Sequence, residues 1–181
     1  MWCVLLILIN FLFFYPNLNA GDNRLSCIDV SCNPELKTVY CWGNFLTALD
    51  LSNNKKLEDL RCQQNSISSL DISNNESLSY LECTANKIKK LDVSHNTQIA
   101  HLICNTNEID FLDVSSCPSL VELSCADNLL TELNISNNQI LKSLYFVDNR
   151  ISCIDISNCP ELSRLSCSSN CLQTLDVTDN P

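Results

Sequence analysis

Residues Leu57–Ser77 read LEDLRCQQNSISSLDISNNES, and the pattern returns 21 positions on as LSYLECTANKIKKLDVSHNTQ from Leu78, then as IAHLICNTNEIDFLDVSSCPS from Ile99. The frame runs back to LKTVYCWGNFLTALDLSNNKK at Leu36 and forward through Leu120 and Leu141 to LSRLSCSSNCLQTLDVTDNP at Leu162. Self-similarity at a short fixed period marks a solenoid, in which each unit buries its apolar side only against its neighbours. Length therefore does not set the domain count. The repeat makes residues 21–181 one quasi-linear domain, with a half coil at 22–35 and full coils from 36, 57, 78, 99, 120, 141 and 162.

Each unit is two similar halves. Leu57, Leu60, Cys62 and Asn65 follow L-x-x-L-x-C-x-x-N, and Ile67, Leu70, Ile72 and Asn75 follow I-x-x-L-x-I-x-x-N. Each half holds a short segment, Leu-Arg-Cys and then Leu-Asp-Ile, that alternates in and out with period two. The last inward position of the second half is Val30, Leu51, Ile72, Val93, Val114, Ile135, Ile156 and Val177, mostly β-branched and so strand-favouring. Neither half contains a helical pattern. These features predict a mainly β, flattened right-handed coil with two short parallel strands per 21 residues and little or no helix.

The segment L-E-D-L-R-C-Q-Q-N-S-I at Leu57–Ile67 resembles the leucine-rich repeat signature L-x-x-L-x-L-x-x-[N/C]-x-L. The variety it is most similar to is the short 21-residue class found mostly in bacterial surface proteins, whose second half reads LxxLDVSxN. The resemblance covers about residues 22–181 in seven successive matches. It implies a non-catalytic recognition role and a binding surface, with the ligand left open.

Residues 1–20, MWCVLLILINFLFFYPNLNA, carry no charge and hold an apolar run from Val4 to Phe14 broken by Asn10. That run is shorter than the roughly 20 residues of a membrane span. It fits the core of a secretory signal with Ala20 before the cleavage point, although no Lys or Arg precedes it. The expectation is export to the medium or the cell surface, with an uncleaved anchor as the alternative. The net charge of −10 lies wholly after residue 20 and repels phosphate backbones and anionic lipid, so nucleic acid is not an expected partner. With two glycines in the chain there is no Gly-rich phosphate loop, and no cofactor is expected.

Identical residues recur in columns. Asn23, Asn44, Asn65, Asn86, Asn107, Asn128, Asn149 and Asn170 share one position, where an inward amide can satisfy the backbone of the next coil. A looser column runs Asn33, Asn54, Asn75, Asn96, Cys117, Asn138, Cys159 and Asn180. Of the 13 cysteines, Cys41, Cys62, Cys83, Cys104, Cys125 and Cys167 share an inward strand position broken only by Phe146. Stacked strands lie about 4.8 Å apart, too far for the roughly 3.8 Å between the Cβ atoms of a disulfide, so these read as buried free thiols. Cys27, Cys32, Cys153 and Cys171 lie outside the column, free or bridged. Asp29, Asp50, Asp71, Asp92, Asp113, Asp155 and Asp176 form an outward row, followed two residues later by Ser or Thr. That row is structural, its mutual repulsion offset in part by hydrogen bonds from the neighbouring Ser hydroxyls, or, in the alternative, offers weak cation sites along Asp50, Asp71, Asp92 and Asp113.

The outward face of the first half varies from coil to coil, while that of the second half repeats Asp-x-Ser. A surface released from structural uniformity is the natural place for specificity. Its side chains of the kinds enriched at interface hot spots, with the apolar Ile103, are Tyr40, Trp42, Arg61, Tyr80, His101, Ile103 and Tyr145. The chain shows no GxSxG, HExxH or P-loop pattern, and its two histidines, His95 and His101, have no recurring nucleophile beside them. The expected function is recognition of a protein or surface glycan without catalysis. One alternative is a spacer or assembly module that self-associates end to end through uncapped coils. A second is an accessory to a cell-wall or polysaccharide hydrolase.

Overall fold

The computed structural model describes residues 15–180. It is a solenoid with one parallel sheet of eight strands stacked in sequence order: β1 (Asn17–Asn19), β2 (Thr38–Tyr40), β3 (Asp59–Arg61), β4 (Tyr80–Glu82), β5 (His101–Ile103), β6 (Glu122–Ser124), β7 (Ser143–Tyr145) and β8 (Arg164–Ser166). Every register step is 21 residues, as in Leu60↔Leu81 and Leu81↔Leu102. The central residue of each strand points inward, and Val39, Leu60, Leu81, Leu102, Leu123 and Leu144 are fully buried. Among the described residues there is no helix, and none long and apolar enough to cross a membrane.

The solenoid begins before residue 21. Ala20 N donates to Tyr40 O, and Pro16 O accepts from Lys37 N and Thr38 N. Tyr15, Leu18 and Ala20 occupy the frame positions of Leu36, Val39 and Cys41, which is why this stretch forms β1. The apolar run expected to be an export signal, Val4–Phe14, lies outside the described residues, and the cleavage point expected after Ala20 falls just behind β1.

The second strand expected in each coil does not form a sheet. The second halves contribute only two isolated bridges, Lys90↔Phe111 and Asp113↔Asn134. The reason lies in the Asp row: Asp71 Oδ1 accepts from Ser73 N at 3.0 Å, and Asp50, Asp92, Asp113 and Asp155 make the same bond to the residue two ahead. An Asx turn takes up an amide and bends the chain away from extended pairing. Two tight turns follow, Asn75 N to Ile72 O and Leu78 N to Asn75 O, and close the coil. The side chains still alternate, so Ile72, Val93 and Val114 reach the core as expected.

Two asparagine columns tie coil to coil. Asn86 Nδ2 donates to Cys62 O and Cys83 O, both at 3.0 Å, while its Oδ1 accepts from Ile67 N at 2.9 Å. In the second column Asn75 Nδ2 donates to Leu51 O and Asn54 O, but its Oδ1 is buried without a donor. The residue before each first-column Asn has positive φ: Gly43 at 63°, and Asp22, Gln64, Ala85, Thr106, Asp127, Asp148 and Ser169 at 53–56°. That left-handed step swings the chain from the strand into the ladder and costs a side-chain-bearing residue roughly 1–2 kcal/mol.

Candidate recognition face

The seven sheet-face candidates project from the outer side of the sheet or, for Trp42, from two residues past β2, and all are half-buried. Four of them form a row across successive strands. The Arg61 guanidinium lies 4.9 Å from the Tyr40 ring centroid and 4.5 Å from that of Tyr80, and the Tyr80 and His101 rings are 5.6 Å apart. A guanidinium between two aromatic faces gains cation–π attraction on each. Asp59 grips its edge through Nε at 3.1 Å and Nη2 at 3.0 Å, and Asp59 also accepts from Tyr40 Oη at 2.7 Å. That bond, the larger cause, and partial burial raise the Tyr40 phenol above its ordinary value. His101 Nδ1 lies 3.2 Å from Glu122 Oε2.

The structure assigns different duties within the candidate set. Arg61 has both faces and one edge occupied by neighbours, so it holds the row together. A Cβ on Gly21 would collide with the Trp42 indole, which shows that Trp42 lies closely against that glycine. Ile103 and Tyr145 stand on β5 and β7 outside the stacked row. Selection by hot-spot residue type missed three carboxylates on the same face: Asp59, Glu82 and Glu122. Their signal was in the sequence, since all three occupy the outward strand positions of the first half.

The Asp row behaves as a set of turn caps. Hydrogen bonds from Ser73 hold the Asp71 carboxyl below its ordinary value, and those from Ser52 and Ser94 do the same for Asp50 and Asp92. Asn134, the uncharged member, makes the same bond to Ser136 N at 3.1 Å. An amide oxygen thus serves as well as a carboxylate. Among the described residues no group of three or more His, Cys, Asp or Glu side chains is placed to hold a metal ion.

The cysteine column is buried and unbridged at Cys41, Cys62, Cys83, Cys104 and Cys125, with Cys167 less covered near the last coil. Burial pushes the Cys41 and Cys104 thiols up to about 12 and raises Cys62, Cys83 and Cys125 well above the ordinary value. These groups are packing atoms rather than nucleophiles. Cys32, Cys153 and Cys171 are free and exposed.

Period, strand column and asparagine ladder together define a leucine-rich repeat protein. A leucine-rich repeat family pattern matches residues 126–140. The chain is similar to the functional domain of InlJ from Listeria monocytogenes, described as including a cysteine ladder, at 39% identity and a TM-score of 0.90, covering 91% of this chain and 37% of that one. Internalin C2 from the same organism is similar in fold at 21% identity and a TM-score of 0.83, covering 93% of this chain and 76% of that one. The plant peptide hormone receptor RGFR1, in complex with RGF2, has a TM-score of 0.71 at 21% identity, covering 78% of this chain and 26% of that one. The chain thus spans well under half the length of the InlJ functional domain it matches. No curated protein sequence matches it.

Proposed function

We propose that this chain is a non-catalytic recognition module that binds a protein or surface glycan across the outer face of its sheet, from Tyr40 to Tyr145. The observation that carries the reading is the Tyr40–Arg61–Tyr80–His101 row. Half-buried aromatic and charged side chains are fixed there by one another before any ligand arrives, and such preorganisation lowers the entropic cost of binding. Among the described residues, the turn half carries no ring stack or cation–π pair of this kind. Similarity to InlJ, and the peptide-hormone complex formed by RGFR1, support recognition as the role. The apolar leader supports placing the chain outside the cell.

The test is an array of purified surface proteins and glycans probed with the chain. Binding to at least one member should survive Phe45→Ala, an exposed side chain outside the strands, and be lost in an Ile103→Glu, Tyr145→Ala variant that keeps its urea midpoint. A ligand retained by the face variant would overturn the assignment.

A further inference from the structure

The sheet face leaves one carboxylate without a partner. Asp59 is taken by Arg61 and Tyr40, and Glu122 by His101. Glu82 sits between Arg61 and Ile103 on the adjoining strands. Among the described residues its carboxylate forms no ion pair or hydrogen bond, because the nearest guanidinium is turned to Asp59. Desolvation raises its carboxyl above the ordinary value in spite of the opposing pull of Arg61.

Two more oxygens in the same patch lack a donor: Gln63 Oε1 and Thr84 Oγ1 are both buried without a hydrogen-bond partner. Thr84 follows Glu82 by two positions on the same face, and Gln63 is its counterpart one coil earlier. The next member of that column, Asn105, is satisfied, since its Oδ1 accepts from Ser124 Oγ and Ala126 N at 2.8 Å each. The deficit is therefore local to the junction of β3 and β4. A buried polar group left unpaired costs about 1–3 kcal/mol, which a donor arriving with a partner would relieve.

The missing group must be cationic and rich in N–H. The chain carries a net charge of −10, and the only guanidinium near Glu82 is already spent. A lysine ammonium presents three donors from a compact centre, whereas a guanidinium needs coplanar acceptors in a fork. Three oxygens from two neighbouring coils, separated by strand spacing in one direction and by two residues in the other, form a triangle that a compact ammonium can address from one centre, not the parallel pair that a guanidinium fork matches.

We infer that Glu82, Gln63 and Thr84 form a receptor for one lysine side chain of the protein that docks on the sheet, its ammonium pairing with Glu82 and donating to the two amide and hydroxyl oxygens after small side-chain rotations. This rests on the proposed recognition role of the face. It selects a protein partner over a neutral glycan and fixes where on the sheet that partner's basic residue lies.

The experiment is an NMR titration of the isotope-labelled chain with N-acetyl-lysine-methylamide, with N-acetyl-norleucine-methylamide as the neutral control. Saturable shifts are expected at Glu82, the Gln63 side-chain amide and Thr84 with the lysine probe alone. Glu82→Gln should weaken them about tenfold, while Glu76→Gln, an exposed carboxylate of the turn half, should leave the apparent affinity within about twofold. Equal shifts with norleucine, shifts spread evenly over all carboxylates, or an unchanged affinity in Glu82→Gln would overturn the receptor. The array separates the two readings. If Ile103→Glu, Tyr145→Ala abolishes ligand binding while Glu82→Gln leaves it intact and the lysine probe does not bind, the receptor alone fails. If the face variant keeps its ligand, the recognition reading fails whatever the probe does.

Discussion

The two halves of each coil start from nearly the same string and end as different structures. Leu57–Asn65 supplies β3 and an asparagine that both donates and accepts. Ile67–Asn75 supplies a capped turn and an asparagine that only donates. The distinction traces to one position: Arg61 in the first half leaves the following amides to the ladder, whereas Asp71 in the second withdraws one with its own carboxylate. Shared apolar spacing thus decides which residues face the core, and a single side-chain acceptor decides whether the backbone between them becomes sheet or turn. The consequence for function is direct, because only the sheet half has outward positions free of capping duty.

The halves should respond most differently to alkali. The thiol column belongs to the strand half, and Cys41 and Cys104 have pKa values pushed from 9.0 to about 12. A raised folded-state value means that their contribution is complete below pH 9 and is lost as pH rises from about 9 toward about 12. Each such thiol removes roughly 1.4 kcal/mol of stability per pH unit in that window. Urea midpoints at pH 7, 9 and 10 should fall steeply above 9, and Cys104→Ala should be less stable at pH 7 but have a shallower pH slope. Equal slopes in the two proteins would show that the column is not shielded from water.

Next in size is the asparagine comparison. Asn86→Ala strands Ile67 N and takes one of two donors from each of the Cys62 and Cys83 carbonyls, which keep Asn65 and Asn107, and is expected to cost about 2 kcal/mol in urea unfolding. Asn75→Cys should cost less than about 1 kcal/mol, because that site uses only a donor. The chain has already made this exchange: Cys117 Sγ reaches Val93 O at 3.9 Å and Asn96 O at 3.7 Å, and Cys159 Sγ reaches Ile135 O at 3.8 Å. Equal losses at both sites would remove the distinction between the columns.

Much of this was legible because a strict period puts like residues in contact. The inward leucines, the thiol column and the asparagine ladders follow from counting by 21, and the register of β2 to β8 bears the counting out. The second sheet was not legible in the same way. β-branched Ile72 and Val93 favour a strand, and the local bond from Ser73 N to Asp71 overrides them without altering the apolar pattern. On the recognition face, spacing placed Arg61 and Trp42 outward but not their neighbours. The enclosure of Arg61 by two rings and the seating of Trp42 on Gly21 depend on rotamers that no repeat encodes. Glu82 escaped notice because its significance is the lack of a partner, a property of the assembled sheet.

A smaller and opposite effect is expected at the left-handed step that ends the strand half. Thr106 is β-branched at a φ of 53°, where Gly43 serves in the second coil at 63°. Thr106→Gly removes the Cβ clash and forfeits only a 3.4 Å contact to Asp127, so it should stabilise the chain by about 1 kcal/mol despite the greater freedom of glycine when unfolded. A thermal melt would read this as a higher midpoint, and a lower one would place the strain elsewhere in the coil.

The smallest effect tests the turn half by itself. If Asp92 acts as a cap, Asp92→Asn keeps an oxygen for Ser94 N, as Asn134 does for Ser136 N at 3.1 Å, and the urea midpoint at pH 7 should hardly move. Asp92→Ala removes the acceptor and should cost about 0.5 kcal/mol, the low end for a cap in a solvated position. Acid should separate the two proteins differently. Hydrogen bonds from Ser94 lower the Asp92 pKa, so its contribution is present above the unfolded value of 3.8 and fades as pH falls through the folded one. The asparagine variant, with nothing to protonate there, should overtake the wild type in relative stability at the lowest pH. Were charge rather than hydrogen bonding the point of the row, Asp92→Asn would instead match Asp92→Ala at pH 7, and calcium would raise the wild-type midpoint alone.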